Sequence, residues 1–301
     1  MIPDFQKIML PLLSILSDGL EHSTTETNEK IARLFDLTDE EINLYLPSGV
    51  AKTFPNRVAW AKSHLKMAGL LENTKRSYFK ITEAGKRIIE NNPTSINLRI
   101  LKTIPVYQEK TGRVKEEDSS SDIDNTQLSA TPEETLENSY LKIRKNLAQE
   151  LLLKIRSCNP SFFEKLVVEL LVKMGYGGSI KDAGQSIGRS GDEGIDGIIK
   201  EDRLGLDVIY IQAKRWENVV GRPEIQKFIG ALAGQGAKKG VFITTSRYTK
   251  EARDYQPRND TKIVLIDGEQ LADLMIDFNL AVSTSTIFEI KRIDNDYFGE
   301  E

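Results

Sequence analysis

The sequence is poor in the residues on which many enzymes run. It holds two histidines, His22 and His64, and one cysteine, Cys158, in 301 residues. A structural zinc site built from cysteine and histidine takes four such ligands, so none is expected. Both histidines lie in the first quarter of the chain. The second half therefore excludes a histidine-based nuclease or a Ser–His hydrolase, and hydrolysis there has to run on carboxylates, lysine and a metal. A single cysteine rules out an internal disulfide framework and fits a reducing cytoplasm. No apolar run approaches a membrane span, and no membrane partner is expected. The opening MIPDFQKIMLPLLSILSDG has neither a basic n-region nor a small-residue cleavage site, so it reads as a first helix.

Positive charge falls slightly short of negative overall, with a formal net charge of −4, yet its distribution is uneven. Residues 109–138 carry nine acidic side chains against three basic ones. Residues 52–80 carry seven lysines and arginines against Glu72. A local basic footprint inside a mildly acidic protein points to nucleic acid. The length suggests two domains, and the 39% hydrophobic and 29% charged residues are those of an ordinary globular chain.

The stretch around which the rest is organised is residues 191–216, GDEGIDGIIKEDRLGLDVIYIQAKRW. Two β-rich runs, Ile195–Ile199 and Asp207–Lys214, flank a polar turn with Gly205. Alternation puts Gln212 and Lys214 on one face. A turn centred near Leu204 places Asp196 opposite Gln212, and a slip of one residue would turn it away. In that register a carboxylate, an amide oxygen and an ammonium converge. This set suits metal-assisted phosphodiester hydrolysis: a hard cation takes oxygen ligands, while the ammonium holds water or offsets charge on the phosphate. The plain alternative is a salt-bridged hairpin with a snorkelling lysine.

Asp196…Gln212-x-Lys214 resembles the D…(D/E)xK signature of the restriction-endonuclease-like superfamily. With GDEGIDG, YIQAKRW, the helical FFEKLVVELLVKMGYG and the segment GRPEIQ…GAL, it resembles the Mrr family of type IV restriction enzymes. The resemblance implies a DNA endonuclease that cuts foreign DNA bearing methyladenine or methylcytosine. It implies Mg²⁺, one or two ions, held by Asp196, Gln212, the Ala213 carbonyl and Glu164, the last through water. A homo-oligomer, dimer or tetramer, in the cytoplasm at the nucleoid goes with this reading. One departure matters: Gln212 stands where the superfamily has a carboxylate, so Glu164 or Asp192 has to supply the missing charge. Glu164 also stands out by itself. On a helix over 162–174 it falls among Phe163, Val167, Val168 and Leu171, where an unpaired carboxylate is costly. A pairing with a lysine or arginine at the core edge is the other explanation for it.

The N-terminal part reads as helices followed by a β-ribbon with a basic tip, Lys75-Arg76, which resembles a winged helix-turn-helix. Residues 55–67 are the expected recognition helix, with core positions Val58, Ala61, Leu65 and Ala68. Asn56, Arg57, Trp60, Ser63 and Lys66 are the expected DNA-facing residues, Trp60 exposed among them, with Lys75 and Arg76 on phosphates. The expected division is a winged-helix domain over 1–107, an acidic linker over 108–132 and a catalytic domain over 133–301. The catalytic part is expected to be an α/β domain with a mixed sheet and helices on both faces. Its expected strands are about 179–187, the hairpin, 239–245 and 263–268. Helices are expected at 133–156, 162–174, 221–235, 248–255 and 269–278, and an edge strand in 283–293. Two other readings share these residues: a winged-helix regulator with a degenerate nuclease, and a junction resolvase. An intact Asp196…Lys214 pair argues against the first, and the appended reader argues against the second.

Overall fold

The computed structural model describes residues 1–111, 130–177, 194–202, 204–255, 260–291, 293 and 297. The chain divides into two compact units, Met1–Leu141 with Ile290–Glu301, and Lys142–Glu289.

In the first unit, α1 (Phe5–Ile15) starts where the Asp4 carboxylate accepts the N–H groups of Gln6 and Lys7. β1 (His22–Ser23) leads into α2 (Thr24–Leu34), and α3 (Asp39–Ile42) is opened by a Thr38/Glu41 capping box. α4 (Thr53–Met67) precedes the hairpin of β2 (Leu71–Lys75) and β3 (Tyr78–Ile81). α5 (Glu83–Glu90) is capped by Thr82; α6 (Leu98–Leu101) and α7 (Pro105–Thr111) come after it. β1 pairs with the outer side of β3, so the wing is a three-stranded sheet ordered β1-β3-β2. Its core joins Ile8, Leu12 and Leu13 of α1 to Val58, Ala61 and Leu65 of α4 and to Phe79 and Ile81 of β3. The α4 stripe is the one the apolar spacing marks.

The second unit holds most of α8 (Pro132–Ser157), then α9 (Pro160–Lys173), β4 (Gly197–Lys200) and β5 (Val208–Lys214). α10 (Arg222–Gly234), β6 (Lys239–Thr244), α11 (Lys250–Arg253), β7 (Lys262–Ile266) and α12 (Gly268–Asp277) complete it. The sheet order is β4-β5-β6-β7, with β4 antiparallel to β5 and the other pairs parallel. Parallel neighbours need crossovers, and helices supply them, so both sheet faces are covered. Ile209, Ile211 and Ala213 of β5 join Val241 and Ile243 of β6 under Leu151, Phe163 and Val167. Tyr210 and Phe242 turn the other way, to Phe228 and Leu232 of α10 and to Tyr248. A Cβ on Gly240 would lie 2.7 Å from the Phe228 ring, which is how closely α10 seats on β6.

Two expectations are corrected. Residues 283–291 form no strand; Ile287, Phe288 and Ile290 are exposed, and no described strand edge pairs with them. The helix expected over 248–255 shrinks to four residues. Tyr248 is instead bridged to Val220 and buried, its hydroxyl donating to the Phe242 carbonyl at 2.7 Å, which leaves its backbone extended. The strand expected at 179–187 and Asp192 lie outside the described residues, as does most of the acidic linker.

Candidate active site and DNA-facing surface

The β4–β5 register pairs Gly197 with Ile211, Ile198 with Tyr210 and Ile199 with Ile209. Continued by one residue, it sets Asp196 against Gln212, with the turn centred on Leu204 as the spacing predicts. The ladder ends at Gly197, and there Asp196 takes over. Its N–H donates to the Ile211 carbonyl at 2.8 Å, and its Oδ2 accepts the Ala213 N–H at 2.8 Å. Lys214 Nζ lies 3.7 Å from the same Oδ2, both side chains being mostly buried. In a strand the N–H and C=O of one residue point the same way, so the Ala213 carbonyl is also directed to the Asp196 side.

Gln212 is 6% exposed, and its buried Oε1 has no hydrogen-bond partner among the described residues. A buried amide oxygen left unpaired costs free energy unless something comes to it. Gly194 explains how the amide is held. It has φ +103°, and a Cβ there would sit 2.9 Å from Gln212 Nε2. Only a glycine permits both the backbone turn and the close approach. The GDEGIDG wording contains this glycine, but spacing alone did not mark its role.

Glu164 sits on α9, whose start is capped by Asn159. Its carboxyl is pushed up from the ordinary range, first by burial and then by the negative charge of Asp196, with Lys214 pulling it down. Its charge therefore shares a field with the hairpin pair. Among the described residues no three acidic, histidine or cysteine side chains form a ligand cluster. The donors present are two carboxylates and the orphaned Gln212 oxygen. Hard oxygen donors of this kind fit Mg²⁺ and do not fit a thiophilic metal.

The hydroxyls that end β6 anchor the segment running on from β5. Thr244 Oγ1 donates to the Lys214 carbonyl at 2.9 Å, Thr245 Oγ1 to the Trp216 carbonyl at 2.8 Å, and Ser246 Oγ to the Glu217 carbonyl at 3.0 Å. All three are buried. Lys214 is thus held through both its side chain and its backbone.

In the first unit the expected reader face divides in two. Ser63, Lys66, Lys75 and Arg76 are exposed, and the two-residue loop Arg76–Ser77 closes the ribbon with Ser77 at φ +64°. Lys75 is drawn over the Tyr78 ring at 4.2 Å and pairs with Glu21 at 3.7 Å. Asn56, Arg57 and Trp60, by contrast, meet the segment that opens α8. Arg57 Nε donates to Glu134 Oε1 at 2.7 Å, and its Nη1 donates to the carbonyls of Ile2 and Pro3. Trp60 Nε1 donates to Glu133 Oε2 at 2.5 Å, and Asn56 Oδ1 accepts from Thr131 at 2.8 Å. Trp60 is therefore half-buried rather than exposed, packed on the core and beside His64. The physical reason is that acids supplied more than 70 residues later give these donors carboxylates inside the unit.

The comparisons with known proteins agree in kind. A family described as "Restriction endonuclease" matches over residues 155–275, and one described as "Mrr N-terminal domain" over residues 5–91. The chain is 36% identical to the "Type IV methyl-directed restriction enzyme EcoKMrr" of Escherichia coli (strain K12) over 305 residues. That match covers 99% of both proteins. Among solved structures, the modification-dependent restriction endonuclease AspBHI matches at 18% identity and TM-score 0.33, covering 67% of this chain and 52% of that one. MspJI in complex with a 27-mer oligonucleotide matches at 17% and 0.34, covering 68% and 51%. The chain spans about half the length of these two structures.

Proposed function

The chain belongs to the Mrr family of restriction endonucleases, and from that premise we propose that it cuts double-stranded DNA carrying methylated bases, at Asp196, Gln212 and Lys214. Residues 1–107 read the DNA, 108–132 link, and the cutting part lies within 133–301, although the start of α8 up to Leu141 packs with the first unit. The relative from Escherichia coli is described as methyl-directed, which supports methyladenine or methylcytosine as the mark. The observation that carries the catalytic reading is the hairpin end. There the Asp196 carboxylate lies 3.7 Å from Lys214 Nζ, beside a buried Gln212 oxygen with no partner among the described residues.

Asp196, Gln212 Oε1, the Ala213 carbonyl and Glu164 would hold Mg²⁺, one ion or two. When bound it draws charge off the phosphate and lowers the pKa of a coordinated water. The chain's own groups do the rest. Lys214 holds the attacking water or pairs with a nonbridging oxygen, and Asp196 keeps the ammonium oriented. A neutral amide at position 212 offers dipole without charge, so Glu164 has to make up the deficit. The enzyme acts as a homo-oligomer, dimer or tetramer, in the cytoplasm at the nucleoid. No described helix is long and apolar enough to cross a membrane. Incubation of methylated and unmethylated plasmid with Mg²⁺ tests the reading: cleavage of the methylated plasmid alone is expected, and equal resistance of both would overturn it.

Glu164→Gln separates the metal role from a structural one. Activity should fall at limiting Mg²⁺ and recover in part at high Mg²⁺. The sign of the stability change comes from the raised carboxyl. A folded pKa above the unfolded value costs stability as pH rises past the unfolded value, so the metal-free variant should be more stable than wild type at neutral pH. That gain should vanish in acid. A less stable variant without metal dependence would make Glu164 a structural residue.

On the reader side, Lys75→Glu with Arg76→Glu should weaken binding to every DNA sequence and flatten its salt dependence, because phosphate contacts release counterions. An unchanged slope in a salt titration would take the wing out of the interface.

A further inference from the structure

Just past Lys214 the chain lines a cavity of about 570 Å³ with Arg215, Trp216, Glu217 and Asn218, together with Arg156 and Glu224. The two arginines are held in an unusual way. Arg215 Nη1 donates to the Arg156 carbonyl, and Arg156 Nη2 donates to the Thr245 carbonyl at 2.6 Å. Neither guanidinium makes an ion pair among the described residues, and the buried Nε of each has no partner. Protein carbonyls position these groups, and nothing described in the unit neutralises them. Guanidinium groups in a partly desolvated pocket without an ion pair are costly, and a planar fork of donors matches a phosphate. Of the two acids in the lining, Glu224 is already paired with Lys227 at 2.7 Å.

Size and the aromatic point further than a bare anion. The cavity falls within the roughly 300–1,000 Å³ of small-molecule sites, far more than one phosphate fills. Trp216 lines the cavity and is 36% exposed, and its carbonyl is pinned by Thr245, so the ring stands on fixed backbone. An indole face accepts any base, while Glu217 and Asn218 offer an acceptor and a mixed donor–acceptor to a base edge.

We propose that this cavity is a nucleotide subsite. Arg156 and Arg215 hold a phosphate, and Trp216 takes the attached base against its face. It rests on the nuclease reading above and deepens it: the occupant is a nucleotide next to the scissile phosphate, drawn out of its stack. Consecutive residues, Lys214 and Arg215, then hold consecutive parts of one strand.

The test uses the full chain with Trp60→Phe, which leaves Trp216 as the sole tryptophan of the two in the sequence. Deoxyadenosine 5′-monophosphate, without metal, should quench its fluorescence saturably in the millimolar range, and deoxyadenosine should bind more weakly. Arg215→Ala or Arg156→Ala should weaken the nucleotide by roughly tenfold or more, the loss expected for a charged hydrogen-bond pair. Should either variant fold poorly by circular dichroism, Trp216→Ala, at the cavity edge, serves instead: KM for methylated DNA should rise while kcat holds. Absence of quenching, quenching indifferent to both arginines, or an unchanged KM overturns the subsite. Cleavage of methylated plasmid by the unsubstituted chain is measured alongside. If it cuts while Trp216 stays silent, only the subsite fails. If the mononucleotide binds and no plasmid is cut, the subsite stands and the nuclease reading fails.

Discussion

Asp196→Ala and Lys214→Ala should each yield a chain that binds methylated DNA and does not cut it. The rate should drop by roughly 10²–10³-fold or more, the cost of losing one group that stabilises charge in a transition state. Asp196 is the carboxylate at the end of the β4–β5 ladder, and its Oδ2 lies 3.7 Å from the lysine ammonium. Lys214 shares a strand face with Gln212, while Ile211 and Ala213 fill the core on the other side. Binding should survive because the exposed basic residues of the wing lie in the other unit. Asp196→Asn, which keeps the shape and can still accept from Ala213, guards against a folding artefact. A gel shift and a plasmid nicking assay read the two properties separately. Near wild-type cleavage by either alanine variant would move the active site elsewhere in the chain.

Arg57→Ala should have the largest effect on stability. Its guanidinium is bonded at three points, to Glu134 and to two carbonyls at the start of the chain, and Glu134 is only 6% exposed. Removing one partner of a buried pair strands the other charge, which costs about 3–5 kcal/mol. Thermal melting of the first unit should shift accordingly, and Arg57→Ala with Glu134→Gln should recover part of the loss. A change within about 0.5 kcal/mol, the range of ordinary surface substitutions, would show the pair to be no more than a surface contact. The same variant in a DNA-binding assay distinguishes this role from phosphate contact, which would leave the melting curve in place.

The legible part of the sequence was local. The turn at Leu204, the shared face of Gln212 and Lys214, and the core stripe of α4 come from periods of 2 and 3.6. The polar side of α4 did not. Arg57 and Trp60 look like groups waiting for DNA until Glu133 and Glu134 arrive from the far side of the linker, and helical spacing carries no trace of such partners. The tail 283–293 has the composition of a strand, yet a strand also needs an edge to pair with. Tyr248 shows the same limit: helical neighbours surround it, but a place between β6 and β7 claims its ring and hydroxyl. Arg215 stood in plain view in YIQAKRW, while Arg156, its neighbour across the cavity, comes from a helix end nearly 60 residues earlier.

The anchoring of Lys214 by β6 bears on the order of synthesis. The carbonyl of Lys214 is held by the Thr244 hydroxyl and the Thr245 N–H, groups the ribosome adds thirty residues later. Parallel pairing of β5 with β6 is a non-local event that waits for the intervening α10. The first unit, whose wing and core lie earlier in the chain, can close first, since domains tend to fold as they emerge. A growing chain therefore completes its first unit before the hairpin end is braced, and a truncated product ending before β6 would carry the hairpin without the support that sets Lys214.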